Sequence, residues 1–385
     1  MILNKTHAEE LLRGSLVLGC GGGGNEAQGR KLFEAAFKAA EEKGGVIELI
    51  SVEELMSRKD DGVVVTISGV GSPSSKTAYT PPEYYPRLLE LLQQQVDKEI
   101  IGFVPCEIGG SSSFEPFLPA ALMGVPVIDA PCDGRAHPLG IMGSLGLEKK
   151  GIPVVQAAVG GHKGADGSAG QYVEIAVTCS LESASSLIRN ASSQAGGFIA
   201  VARNPVTAEW IEKNGACGAY MQTLEIGHLW KHLIDNGASA EEIAAKTAEI
   251  INGKVIGTGK ISAYNCATDN ALDNGSFSFV ADDRCYDITF FNEYMTLEAD
   301  GKRISTFPDG IIFIGEDRKA YSSAMLAAAA AEGRLEDKKF ILIVTPHGNL
   351  MIPTGVRYRD AYDTIEKTIN KDMISYLEKD ELFID

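Results

Sequence analysis

Long apolar runs are missing from this 385-residue chain. A helix that crosses a bilayer needs roughly 20 mostly apolar residues in succession, so no membrane span is expected. Clusters of positive charge are missing too. With 35 Lys and Arg against 52 Asp and Glu, the formal net charge is -17. No Lys/Arg run breaks that excess, which argues against nucleic acid or an anionic membrane as partner. The opening MILNKTHAEELLRG has no basic segment leading into an apolar stretch, so a cytoplasmic location is expected rather than secretion. Cysteine is scarce and unpatterned. Cys20, Cys106, Cys132, Cys179, Cys217, Cys266 and Cys285 form an odd set without CxxC or zinc-finger spacing, which argues against a disulfide framework. In a reducing cytosol each is a buried hydrophobe, a ligand or a nucleophile. Internal repeats and low-complexity tracts are absent as well.

What remains is an ordinary globular composition, 44% hydrophobic and 23% charged, long enough for two domains with cores of their own. Thr6-His7-Ala8-Glu9 has the form of a capping box and predicts a short helix to about Arg13. Residues 15–20 predict a strand, 21–24 a glycine turn and 25–43 a helix, with Leu32, Phe33, Ala36, Phe37 and Ala40 at helical spacing. Gly19, Gly21 and Gly24 satisfy GxGxxG. Such glycines bring backbone N–H groups to a phosphate or carboxylate, or simply permit a tight crossover. Strands at 46–50, 61–68, 99–104, 125–130 and 152–158 alternate with helices at 81–95 and 114–123. The alternation predicts an α/β fold, a Rossmann-like doubly wound parallel sheet. A strand at 171–178 and helices at 181–192, 208–214, 220–236 and 240–251 extend this first domain over residues 1–245. His228 and His232 stand at i, i+4, but without the Glu of HExxH they read as a helix face. From Lys254 short strands separated by turns predict a β-rich second domain over 246–385, with a helix at 325–333 and a closing helix over 358–378.

Reactive side chains crowd into residues 105–143, which hold two cysteines, four carboxylates, an arginine and a histidine. In an open α/β sheet the loops past the strand carboxyl ends share one crevice. That brings together 20–25, 69–75, 106–113 and 129–137, with His162 on the same edge.

These residues resemble a specific family. The run Gly21 to Gly24, the loop Glu107-Ile108-Gly109-Gly110 and the segment from Asp129 through Gly134, Arg135 and Ala136 to Pro138 are similar to those of S-methyl thiohydantoin desulfurases. Leu224-Glu225-Ile226-Gly227, Gly259-Lys260-Ile261, Asn292-Glu293 and Pro308-Asp309-Gly310-Ile311 follow in the same order. Pro131, His137 and Leu139 depart from the pattern, which has a second Asp, an aromatic and a Glu at those places, and Cys132 is extra. The resemblance implies a Rossmann-like domain beside a swivelling β/β/α-like domain. It also implies hydrolysis of an S-methylated thiohydantoin to a hydantoin with loss of methanethiol.

That chemistry needs a nucleophile at the ring carbon, a donor to the leaving sulfur and stabilisation of ring charge. A thiolate could attack directly, or a divalent metal, zinc before iron, could supply hydroxide. The candidate catalytic residues are Glu107, Cys106, His137 and Asp129, with Glu107 as general base or acid. Gly22, Gly23, Gly24, Asn25, Gly109, Gly110 and Ser111 would hold substrate, and Arg135 would take a substrate carboxylate. Cys106, Cys132, His137 and His162 form the candidate metal set, and His347 could close over the site. The other four cysteines read as structural. A small cyclic amide is the expected partner, and a homo-oligomer the expected assembly. Two other functions fit the glycine loop: a non-catalytic subunit or ligand sensor of a hydantoinase or oxoprolinase system, and a nucleotide-binding oxidoreductase. A sensor needs the glycines but not the thiols.

Overall fold

The computed structural model describes residues 1–59, 61–71, 80–164, 170–269 and 272–384. Its first sheet has seven strands: β1 (Leu49–Ile50), β2 (Val63–Gly71), β3 (Ile100–Pro105), β4 (Val127–Ile128), β5 (Val154–Gly160), β6 (Val173–Cys179) and β7 (Phe198–Val206). They lie in the order β1-β4-β3-β2-β7-β5-β6. The pairs among β1, β4, β3 and β2 are parallel. The pairs β2·β7, β7·β5 and β5·β6 are antiparallel. The sheet is therefore mixed, and the wholly parallel sheet expected from the alternation is corrected. Strand β7, absent from the sequence expectation, produces two of the three antiparallel pairs by wedging between β2 and β5, and β6 adds the third by running against β5.

The helices of the chain are divided between the two faces of this sheet and a second sheet. In order they are α1 (Lys5–Leu18), α2 (Glu26–Glu42), α3 (Val52–Arg58), α4 (Tyr85–Gln93), α5 (Phe117–Met123), α6 (Leu181–Gln194), α7 (Ala208–Asn214), α8 (Ala219–Asp235), α9 (Ala240–Ile250), α10 (Ser323–Ala331), α11 (Asp360–Ile369) and α12 (Ile374–Lys379). Along β2, Val63, Val65 and Ile67 join the core that holds α1, α2, α4 and α5. Val64 points the other way, into the core with α3 and α7, as the two-residue period of a strand requires.

Residues 15–18 continue α1 instead of forming a strand, so the glycine turn links helix to helix and lacks the strand of a dinucleotide fingerprint. A short apolar run does not distinguish buried helix from strand. What decides here is packing on α8. A methyl on Gly14 would lie 1.9 Å from the Thr223 carbonyl oxygen, and one on Gly227 would lie 1.7 Å from that of Glu10. The two backbones thus touch directly. The helix is capped by Asn4, whose side chain accepts from the His7 N–H, and not by Thr6. His228 faces Glu10 at 3.1 Å across the same contact.

The second sheet is antiparallel throughout, with eight strands: β8 (Lys254–Asp269), β9 (Leu272–Ala281), β10 (Arg284–Phe291), β11 (Glu293–Ala299), β12 (Lys302–Thr306), β13 (Gly310–Gly315), β14 (Ala320–Tyr321) and β15 (Phe340–Thr345). Their order is β12-β11-β10-β9-β8-β15-β13-β14. Alternation again divides its faces. Ile312, Ile314, Ile341 and Ile343 join the core of α1, α8 and α9, whereas Phe313, Phe340 and Leu342 pack with Phe277 and Phe279 under α10. The closing helix expected over 358–378 is broken at Asn370, which adopts a left-handed φ of 52° and separates α11 from α12. No helix among the described residues is long and apolar enough to cross a membrane.

Candidate active site

The glycine loop is clamped from two sides. On one side Gly23 presses on Gly109, where an added methyl would lie 2.4 Å from the Gly109 Cα. The Gly23 carbonyl accepts from the N–H groups of Ser111 and Ser112 at 2.9 and 3.1 Å. On the other side Tyr294 N–H donates to the Cys20 carbonyl at 3.0 Å and Ser323 N–H to that of Gly21 at 2.9 Å. Gly21, Gly23 and Gly24 all have positive φ, from 73° to 100°. Glycine is needed here for close backbone approach. The loop ties the segment after β3 to the corner between β10 and β11.

That corner delivers Glu293. Asn292 turns it with a φ of 58°, held by its side-chain oxygen accepting from the Asp273 N–H at 2.9 Å. Glu293 then lies against Gly22, so closely that a methyl there would be 1.9 Å from Glu293 Oε1. Its Oε2 has no hydrogen-bond partner among the described residues. Burial, and then the charge of Glu107, raise the Glu293 carboxyl well above the usual carboxylate range.

Between these segments lies a cavity of about 120 Å³. Pockets for drug-sized ligands run to roughly 300–1,000 Å³, so this one suits a single small ring. Glu107 lies on its wall, 8% exposed. Its carboxylate accepts from the Ser112 hydroxyl at 2.9 Å and the His137 N–H at 3.0 Å. The His137 ring also lines the cavity, with Nδ1 3.1 Å from Asp133 and 3.4 Å from Glu107. Cys106 stands beside them, its thiol raised well above the ordinary range by burial and then by Glu107. It is therefore protonated at neutral pH. The cavity is lined as well by Glu115, Gln156, Arg189 and Arg203. Burial and then Glu107 also raise Glu115. Burial and the neighbouring Arg203 charge lower Arg189.

Of the residues expected from sequence, Cys106, Glu107, His137, Gly23, Gly24 and Ser111 line this cavity, and the others do not. Asp129 accepts from the N–H groups of Tyr220 and Met221 at the start of α8, at 2.7 and 3.3 Å. Asn25 caps α2 by accepting from the Gln28 N–H. Gly22 serves as the rest for Glu293, and Gly109 and Gly110 pack against the glycine loop and α1. Arg135 is fully buried, stacks 4.5 Å over the Phe307 ring and donates to the Asp309 carbonyl. His347 pairs with Asp309 at 3.0 Å, away from the cavity. Of the loop expected at 69–75, residues 72–75 lie outside the described residues.

The candidate metal set does not converge. Cys132 is buried and 3.2 Å from the Thr66 hydroxyl, its thiol pushed up to about 12 by burial, and His162 is exposed. Among the described residues no three His, Cys, Asp or Glu side chains gather as ligands. No catalytic step is therefore assigned to a metal.

Glu115, Gln156, Arg203 and Glu293 went unnoticed as site residues in the sequence. A shared signal marks three of them. Each interrupts or borders the apolar run of a strand: Gln156 stands alone in VVQAAVG, Arg203 follows FIAVA in β7, and Glu293 opens β11, with Asn292 between it and the end of β10. Glu115 sits just ahead of the apolar helix FLPAALM.

The fold is similar to the crystal structure of a protein from Chromobacterium violaceum, with a TM-score of 0.66 at 19% identity over 90% of this chain and 92% of that one. At that identity the likeness concerns the fold alone. No curated protein matches the chain. Family models do: the S-Me-THD-like N-terminal domain matches residues 6–167 and the S-Me-THD-like C-terminal domain residues 180–330. Between them they take in most of both sheets, and the chain belongs to the S-Me-THD-like family, that of the S-methyl thiohydantoin desulfurases.

Proposed function

We propose that the chain is a hydrolase of a small cyclic thioimidate, converting an S-methylated thiohydantoin to a hydantoin with release of methanethiol. The observation that carries this is the pair of carboxyls set on one small cavity from two different sheets. Burial and the charge of Glu107 raise the Glu293 carboxyl well above the usual carboxylate range, which favours its protonated form, while Glu107 is held as an acceptor by Ser112 and His137. A raised carboxyl facing one that is held as an acceptor can divide the acid and base roles with it.

In this reading water attacks the ring carbon that bears sulfur while Glu107 takes one of its protons. The C=N electron pair moves onto the ring nitrogen, which takes that proton from Glu107. The new hydroxyl then gives its proton to Glu107 as the C=O bond forms and the carbon–sulfur bond breaks. Glu293 protonates the departing sulfur, so that methanethiol leaves neutral, and the proton on Glu107 returns to Glu293 through solvent. His137, braced by Asp133, positions Glu107 through its backbone N–H. Cys106, protonated and buried, packs the wall and is not the nucleophile.

The test is turnover of an S-methyl thiohydantoin by purified variants. Glu107→Gln and Glu293→Gln are each expected to lose about 10²–10⁴-fold in kcat, the usual contribution of a positioned acid or base, with binding retained. Cys106→Ser is expected to stay within about tenfold of the parent. Loss with Cys106→Ser equal to that with Glu107→Gln would transfer attack to the thiol. Binding without turnover in the parent itself would leave a sensor.

A further inference from the structure

The hydrolase reading leaves open which part of the ring is recognised, and the wall of the cavity speaks to that. Arg203 on β7 stands in register with Gln156 on β5, and both line the cavity with Glu115. Their exposures are 7%, 1% and 5%. Each carries one buried polar atom without a hydrogen-bond partner among the described residues: Arg203 Nε, Gln156 Oε1 and Glu115 Oε2. Such orphans are costly when nothing fills them. Three on one cavity wall point to a ligand that does.

Their hydrogen-bonding senses follow from the orientations the side chains adopt. Gln156 Nε2 donates to Asn204 Oδ1 at 3.1 Å, which leaves Oε1 as an acceptor. Arg203 Nε–H can only donate. Glu115 Oε2 is the free oxygen of a carboxyl that burial and then Glu107 raise well above the usual carboxylate range, which favours a protonated, donating group there. The wall thus offers two donors and an acceptor.

We propose that Glu115, Gln156 and Arg203 read the imide edge of a five-membered ring, the two donors meeting carbonyl oxygens and Gln156 meeting the N–H between them. This rests on the hydrolase reading and adds the substrate's orientation. An S-methylated thiohydantoin satisfies two of the three positions, its carbonyl and its ring N–H. The third is filled only when water adds at the sulfur-bearing carbon and places an oxygen there. Binding therefore improves along the reaction, as catalysis requires.

Ligand-observed NMR titration of the full chain with small rings of nearly equal size tests the edge directly. Succinimide and hydantoin carry acceptor, donor, acceptor and are expected to bind within about threefold of each other. 2-Pyrrolidinone lacks one acceptor and should bind about tenfold more weakly, as one unmet buried group implies. 2-Imidazolidinone presents the inverse pattern and should bind weakest. Glu115→Gln keeps a donor and should retain succinimide, whereas Glu115→Met and Gln156→Met should each lose about tenfold, with cooperative melting confirming that all three fold. Equal binding of succinimide and 2-imidazolidinone, or succinimide bound equally by Glu115→Gln and Glu115→Met, overturns the edge. Such a result leaves the hydrolase reading standing wherever methanethiol release is still seen. Ring discrimination as expected but no methanethiol release would sink the hydrolase and keep the edge.

Discussion

Asp129 shows how a residue that looks catalytic in sequence can be occupied elsewhere. It sits 6% exposed at the N-terminus of α8, where a carboxylate meets the positive end of the helix. Burial outweighs the two backbone N–H donors, so its carboxyl rises from 3.8 to about 6. A carboxyl raised in the folded state binds its proton more tightly there than in the unfolded chain. Its stabilising contribution is therefore complete below pH about 4 and is lost as pH rises through 6. A shift of about two units corresponds to roughly 3 kcal/mol. Chemical denaturation of Asp129→Asn beside the parent should thus show the variant gaining relative stability by up to that amount between pH 4 and 7. Parallel curves would remove the assignment. The sequence showed this carboxylate in a reactive loop and could not show that α8, beginning some ninety residues later, claims it. Gln156 and Arg203 teach the converse, since polar residues interrupting apolar strands were visible and lacked only the topology that gathers them.

At the scale of elements, the glycine loop was found from sequence and its surroundings were not. Four consecutive glycines announce a special backbone, but residues 15–18 are as apolar as a strand and only the contact of Gly14 and Gly227 makes them helix. The loop's demand for glycine has two separable parts, positive φ and absence of space. Gly44 has the first alone, with a φ of 65° and nothing within 4 Å of an added methyl. Gly23 has both, a φ of 73° and backbone at 2.4 Å. Gly44→Ala is expected to cost about 1–2 kcal/mol, and Gly23→Ala about 3 kcal/mol or more once overpacking is added. Urea titration measures the difference, and equal costs would mean that the Gly109 loop yields. The antiparallel strands of the first sheet were harder to foresee. A strand's residues record its burial but not its direction, and β7 reads the same either way.

For the molecule as a whole, the two sheets share one core. Ile312, Ile314, Ile341 and Ile343 of the second sheet bury with Leu11, Leu12 and Val17 of α1 and with Val63 and Val65 of the first. Calorimetry should accordingly find a single transition, with enthalpy matching its van't Hoff value; two resolved transitions would mean that the halves melt apart.

Glu107 reaches the cavity from the first sheet and Glu293 from the second, and the peptide at Gly22 and Gly23 lies between the segments that carry them. In the proposed hydrolase the thickness of that peptide would act as a spacer, setting how far the base stands from the acid and hence which leaving group both could reach. Gly22→Ala probes it without backbone strain, because Gly22 has no positive φ and the three atoms nearest its added methyl all belong to the Glu293 side chain. The variant should melt within a few degrees of the parent yet lose at least about tenfold in kcat. Full activity in Gly22→Ala would show that the gap tolerates adjustment. A chemistry divided between two sheets is in this way calibrated by an atom that is not there, the Cβ of a glycine.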